Sequence, residues 1–219
     1  DTRISGYIFE SALQSGLLAA GVNVFLTGPL STPAVAFLTR DMKFDGGVVI
    51  SASHNSHEYN GIKFFSKNGD KLTDEVEEQI ELALTDSDSM QLKVPNRLGK
   101  SYRAENCQER YIEFCKSSVP KNINLKHLRL VIDCSNGATY NVAKKIFNDL
   151  GADVDLINAT PNGLNINKNC GSLHPESLIR SVINHRADIG VAFDGDGDRV
   201  LMVDGGGRVY DGDQLVYII

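Results

Sequence analysis

Residues 194 to 199 read Asp-Gly-Asp-Gly-Asp-Arg, three carboxylates at every second position followed by a guanidinium. Two glycines between the aspartates open backbone conformations closed to most residues, so Asp194, Asp196 and Asp198 can converge on one point. Oxygen-only ligation of this kind suits Mg²⁺ or Ca²⁺ rather than zinc. An EF-hand calcium loop also opens on alternating aspartates, but it needs Gly sixth and Glu twelfth, where this sequence has Arg199 and Gly205. A plain acidic hairpin turn is the other reading, since Asp-Gly is a common turn dipeptide. Three adjacent like charges at a strand end, however, would repel without a cation. Mg²⁺ usually shares its shell with phosphate oxygens, which Arg199 can bind bidentately, so the loop has the composition of a phosphoryl-transfer site.

A second constellation is Ser51-Ala52-Ser53-His54-Asn55, which follows the apolar run Gly46-Gly47-Val48-Val49-Ile50. It stands where an α/β sheet presents its ligand site, at the end of a strand. A serine there can be a nucleophile if a base or a metal activates it, and His54 and the aspartate loop each offer that. The competing reading is a polar turn in which Ser and Asn cap the backbone. No Gly-x-Ser-x-Gly elbow accompanies it, so a hydrolase triad is not indicated. Lys63, in Asn60-Gly61-Ile62-Lys63-Phe64-Phe65, either faces a phosphate or lies on a solvated strand face.

The elements that must position these groups alternate. Helical periodicity is expected over 5–20, 31–39, 74–84, 104–117, 139–150 and 175–185, and strands over 22–26, 46–50, 128–134, 152–157, 188–193 and 200–203. The fold class is therefore α/β: two consecutive domains, each a mixed, mainly parallel sheet covered by helices. Residues 85–103, rich in Asp, Ser, Asn, Pro and Gly, interrupt the pattern as a linker region, and the domains are drawn as 1–119 and 120–219. The chain starts in charged loop chemistry and ends inside an apolar run, as a piece of a longer protein would.

With 22 Lys plus Arg against 28 Asp plus Glu, the net charge is −6, which gives no footprint for nucleic acid or an acidic membrane. No apolar run approaches the roughly 20 residues that span a bilayer, and no signal-peptide pattern opens the chain. Cys107, Cys115, Cys134 and Cys170 are widely spaced without a CxxC pair, so neither a zinc site nor a disulfide framework is expected. Reduced thiols fit a cytoplasmic protein with small-molecule partners, and Cys134 reads as a buried small residue.

Together, Ser51-Ala52-Ser53-His54-Asn55, Asn60-Gly61-Ile62-Lys63 and the 194–199 loop resemble the α-D-phosphohexomutase superfamily in order and spacing. Asp1-Thr2-Arg3-Ile4-Ser5-Gly6, Leu26-Thr27-Gly28-Pro29, Pro161-Asn162-Gly163-Leu164-Asn165-Ile166-Asn167 and Cys170-Gly171-Ser172-Leu173-His174-Pro175-Glu176 resemble its hexosamine-phosphate branch, as does Ser51. The resemblance implies that Ser53 carries a phosphoryl group and, with Asp194, Asp196 and Asp198, holds Mg²⁺. It gives Lys63 and Arg199 the stabilisation of phosphoryl charge, and His54 an acid/base or orienting role. Arg3 matches a position near the phosphoserine and ranks below Lys63, because a terminal arginine is easily disordered.

The implied reaction interconverts glucosamine 6-phosphate and glucosamine 1-phosphate for cell-wall precursors. A hexose-phosphate mutase of the same superfamily is the alternative, and a non-catalytic metal-binding module is another. Two departures stand out. Ser56 replaces the proline usual after Ser-His-Asn, which frees φ and restores a backbone donor. No stretch matches the sugar-recognition loop of the superfamily's third domain or the phosphate-binding loop of its fourth, so the chain is expected to be inactive alone.

Overall fold

The computed structural model describes residues 1–85 and 92–218. Helices α1 (Gly6–Ala19), α2 (Thr32–Asp41) and α3 (Asp74–Thr85) alternate with strands β1 (Val24–Leu26), β2 (Gly46–Ile50) and β3 (Ile62–Ser66). Strand β4 (Ser101–Arg103) and helix α4 (Cys107–Ser117) follow. The second half runs β5 (Arg129–Asp133), α5 (Ala143–Asp149), β6 (Asp153–Ile157), α6 (Glu176–His185), β7 (Ile189–Phe193), β8 (Val200–Asp204), β9 (Val209–Tyr210) and α7 (Gly212–Ile218). Among the described residues no helix is long and apolar enough to cross a membrane.

Part of the expected linker, 86–91, lies outside the described residues. The rest is not a free connector. Ser101–Arg103 pairs in parallel with Val24–Leu26, and Gly99 N–H donates to Leu18 O at 2.9 Å, so the segment is stitched to the end of α1. A three-residue strand carries too little periodicity to be seen in sequence, which is why composition alone suggested a linker. The helix expected over 139–150 is also divided, into a 3₁₀ turn at Ala138–Asn141 and α5.

β2 and β3 form an antiparallel pair in which Lys63 stands opposite Val49 and Ile62 opposite Ile50. The larger sheet has the order β6-β5-β7-β8-β9, with β5 parallel to β6 and β7 and the last two strands antiparallel. β5 is buried along Leu130–Asp133, as an interior strand of a sheet covered on both faces must be. Ile132, Cys134, Val154 and Val191 pack on one side of it, and Val131, Leu178, Val182 and Val203 on the other. A third cluster joins Ala34 and Leu38 of α2 to Cys107 and Ile112 of α4 and to Val142 before α5. Helices from both halves of the chain therefore share apolar surface.

The strand order reverses at β5, with β6 on one side and β7 on the other. Ligand sites of open α/β sheets lie at such a switch point, beyond the carboxyl ends of the strands. Those ends are Asp133 and Phe193, immediately before residues 134–139 and the 194–199 loop.

Candidate functional site

The two sequence constellations meet. Ser53 leaves the end of β2 in the left-handed region at φ 51°, and its Oγ donates to Asp194 Oδ2 at 2.6 Å. That backbone is uncommon for a serine, and hydrogen bonds over-determine it. Ser53 N–H donates to Ser51 Oγ at 2.9 Å, and Ser51 Oγ donates to Asp1 Oδ2 at 2.6 Å. Arg3 lies beneath the loop, 1% exposed, ion-paired with Asp1. Its guanidinium donates to Ser51 Oγ at 3.2 Å, to the carbonyls of Ser53 at 3.1 Å and Asn55 at 2.6 Å, and to Ser56 O at 3.5 Å. Burial lowers Arg3 to about 10, opposed by the charges of Asp196 and Asp194, so it remains a cation at neutral pH.

Asp194, Asp196 and Asp198 each place a carboxylate oxygen within 4.8 Å of the others. At an effective dielectric near 20, each pair of unit charges at that separation repels by roughly 3–4 kcal/mol. Lys63 offsets part of this, its Nζ lying 2.6 Å from Asp196 Oδ2 and 3.2 Å from Asp198 Oδ2. Burial alone would lower Lys63, but its bond to Asp196 and the two carboxylate charges raise it above its ordinary value. Burial would likewise raise Asp196, yet the bonds from Lys63 and Thr32 bring it below its ordinary value. Asp194 is raised, chiefly by burial and with help from the neighbouring aspartates, against the bond from Ser53.

One atom is left over. Thr32 Oγ1 and Lys63 both donate to Oδ2 of the fully buried Asp196, while Asp196 Oδ1 has no hydrogen-bond partner. A buried carboxylate oxygen without a donor is costly, and a hard cation bound among the three carboxylates would satisfy it. The donor set therefore fits Mg²⁺.

The two glycines of the loop have different reasons. Gly197 has φ +69°, the left-handed region that favours glycine. Gly195 gives close approach: a Cβ there would meet Asn167 Nδ2 and Ser53 O at 2.7 Å and Ile166 Cδ1 at 2.8 Å. Gly195 O also accepts from Ala138 N–H at 2.8 Å, and Asp196 O from Thr32 N–H at 2.8 Å, so the 134–139 segment and the start of α2 hold the loop from either side.

Residues 1–91 match the model of phosphoglucomutase/phosphomannomutase α/β/α domain I, and residues 109–207 that of α/β/α domain II. The chain belongs to the phosphoglucomutase/phosphomannomutase family. It is 58% identical over 219 residues to a phosphoglucosamine mutase of Pseudomonas entomophila strain L48, covering 100% of this chain and 49% of the relative. It is 55% identical to one of Chromobacterium violaceum, with the same coverage. A crystal structure of a phosphoglucomutase/phosphomannomutase family protein from Burkholderia thailandensis superimposes with a TM-score of 0.78 at 27% identity, covering 95% of this chain and 46% of that one. The chain thus spans about half the length of the curated relatives it matches.

Of the residues singled out in sequence, Ser53, Lys63, Asp194, Asp196 and Asp198 form one contiguous cluster. His54 and Arg199 stand beside it, Arg199 NH1 being 3.0 Å from His54 Nδ1. A guanidinium can only donate, so Nδ1 is the acceptor of this contact. Lys63 lies on the aspartates rather than free on a strand face. Arg3, ranked below Lys63 as a loose terminal residue, is instead buried and hydrogen-bonded to the serine loop. Thr32 and Asn167 escaped sequence reasoning as site residues. Thr32 sits at the start of a helix just before Pro33, where a hydroxyl reads as a cap, and Asn167 lies inside a quoted motif with nothing to say what its amide touches.

Proposed function

We propose that this chain carries the phosphoserine and metal centre of a phosphoglucosamine mutase, interconverting glucosamine 6-phosphate and glucosamine 1-phosphate through a bisphosphate, in supply of cell-wall precursors. The observation that carries it is the 2.6 Å contact of Ser53 Oγ with Asp194, one of three converging carboxylates. A phosphoryl group on that oxygen would meet an anionic wall, which is tolerable only with cations in place. Ser53, Asp194, Asp196 and Asp198 are the ligands we assign to Mg²⁺, which when bound supplies charge neutralisation at the transferring group.

In this reading the bond from phosphorus to Ser53 Oγ breaks as one forms to a hydroxyl oxygen of the sugar phosphate. The proton released by that hydroxyl ends on Ser53 Oγ, and the return step reverses the exchange at the other position of the sugar. Such a transfer asks the protein chiefly for position and charge stabilisation. Arg3 and Ser51 fix the serine loop. Arg199 and Lys63 stabilise the phosphoryl oxygens, and Arg199 orients His54, to which we assign an acid/base or orienting role. Residues 1–119 and 120–219 are read as the first two domains of a four-domain cytoplasmic protein, the serine loop connecting β2 to β3 in the first and the aspartate loop connecting β7 to β8 in the second.

The test is a comparison, in the full-length enzyme with Mg²⁺, of glucosamine 6-phosphate with mannose 6-phosphate and glucose 6-phosphate. A clear preference in kcat/KM for the amino sugar is expected. Preference for a hexose phosphate would move the assignment to that branch of the family.

A further inference from the structure

Two side chains from distant parts of the chain close on the same pair of carbonyls. Asn167 Nδ2 donates to Ser53 O at 2.8 Å and to Asn55 O at 2.9 Å, the two acceptors that Arg3 also binds. These carbonyls bracket His54, and the first belongs to the residue held at φ 51°. Arg3 reaches them from the start of the chain. Asn167 reaches them from the segment between β6 and α6, where its own N–H is fixed to Ser135 O at 2.9 Å. Gly195 of the aspartate loop lies against the same contact, with no room there for a Cβ.

We infer that Asn167 is a positioning residue for phosphoryl transfer: its amide locks the Ser53 backbone in register with the aspartate loop, so that the phosphoryl group on Oγ is presented to the metal centre and to substrate. The inference rests on the mutase reading for its chemistry and on geometry alone for the clamp. The amide suits the task because it brings two donors on one nitrogen and no net charge, beside a cluster whose charge balance is already set by Lys63 and Arg3. Outer partners of this kind typically carry about 10- to 100-fold in activity without touching substrate.

Two variants separate positioning from folding. Asn167 sits at φ 58°, so Asn167→Gly removes the amide without straining the backbone, and Asn167→Asp keeps the shape while replacing both donors with acceptors facing carbonyls. In the full-length enzyme, both should lower kcat about 10- to 100-fold with the KM for sugar phosphate changed by less than about twofold. Amide hydrogen exchange should quicken at Ser53 and Asn55, whose N–H groups bond to Ser51 Oγ and Ala52 O, and stay unchanged in β5 and β7. Wild-type kcat in both variants, or unchanged exchange at those two amides, overturns the inference. So does faster exchange throughout β5 and β7, which would mark a structural role. Should wild-type enzyme move no phosphoryl group, the mutase reading falls, and the exchange comparison alone still decides the clamp.

Discussion

The hydroxyl of Ser53 and the carboxylate of Asp194 are joined at 2.6 Å although they stand 141 positions apart in the chain. The contact has a steric cause. Each partner sits at the end of a strand, β2 for Ser53 and β7 for Asp194; Arg3 and Asn167 bind the carbonyls of the first loop, and the absence of a side chain at Gly195 lets the second approach to where a Cβ would stand 2.7 Å from Ser53 O. Electrostatics then bears on the proposed role of Ser53, because a phosphoryl group carried beside these carboxylates would be tolerable only when cations share the site.

The three aspartates should not be equivalent. Asp196 is fully buried with one oxygen unpartnered, whereas the Asp198 side chain is 33% exposed. Asp196→Asn puts an amide donor either against Lys63 and Thr32 or into the metal position. Mg²⁺ affinity measured by calorimetry should fall at least about 10- to 100-fold, and by less in Asp198→Asn. Equal losses in the two variants would contradict this ordering.

Lys63 competes with a metal for the oxygens it binds, so removing it should separate two readouts. Lys63→Met deletes the cation 2.6 Å from Asp196 while keeping an unbranched apolar stem. Mg²⁺ should bind more tightly at low ionic strength, since the carboxylates are left with more negative charge. Phosphoryl transfer should nonetheless slow by about 10-fold or more, the scale on which charge-stabilising donors act. Parallel losses of metal affinity and rate would refute the offsetting role.

Much of the frame is legible in sequence because its signals are local. The alternation of apolar strands and amphipathic helices, and the Asp-Gly-Asp-Gly-Asp-Arg run, each lie within a few residues. What escaped depends on long-range contact. β1 and β4 pair across three residues each, and the place of Arg3 follows only from the loop folded over it. Asn167 donates to carbonyls more than a hundred positions away, which no periodicity records. Exposure also differed from pattern: α1 repeats its apolar residues at helical spacing, yet none of them is buried among the described residues.

Gly195→Ala tests the close approach of the loops. The new methyl would stand 2.7 Å from Asn167 Nδ2 and Ser53 O, and backbone cannot give way as a flexible side chain can. Overpacking of this kind costs about 1–3 kcal/mol, readable as a lower midpoint in urea with an unchanged slope. A midpoint within error of wild type would mean that the loops separate freely.

Thiol reactivity should report the core rather than the site. Burial pushes Cys134 and Cys170 up to about 12 from an ordinary 9.0, so at pH 8 roughly one molecule in ten thousand carries either thiolate. Both should resist a disulfide reagent at pH 8 until the protein is unfolded. The linkage has a definite sign. A folded pKa above the unfolded one contributes stability that is complete below about pH 9 and is lost as pH rises towards 12. Thermal melts should show that alkaline decline, and Cys134→Ala should shallow it. Rapid labelling of both cysteines in the native protein would contradict their burial.

The most direct test of the central claim is the intact mass and peptide map of the full-length enzyme, for wild type and for Ser53→Ala. The account predicts one phosphoryl group on Ser53, absent from the variant and discharged by sugar monophosphate in the presence of Mg²⁺. A wild-type protein that carries no phosphate there, and accepts none from a hexosamine bisphosphate, would contradict it.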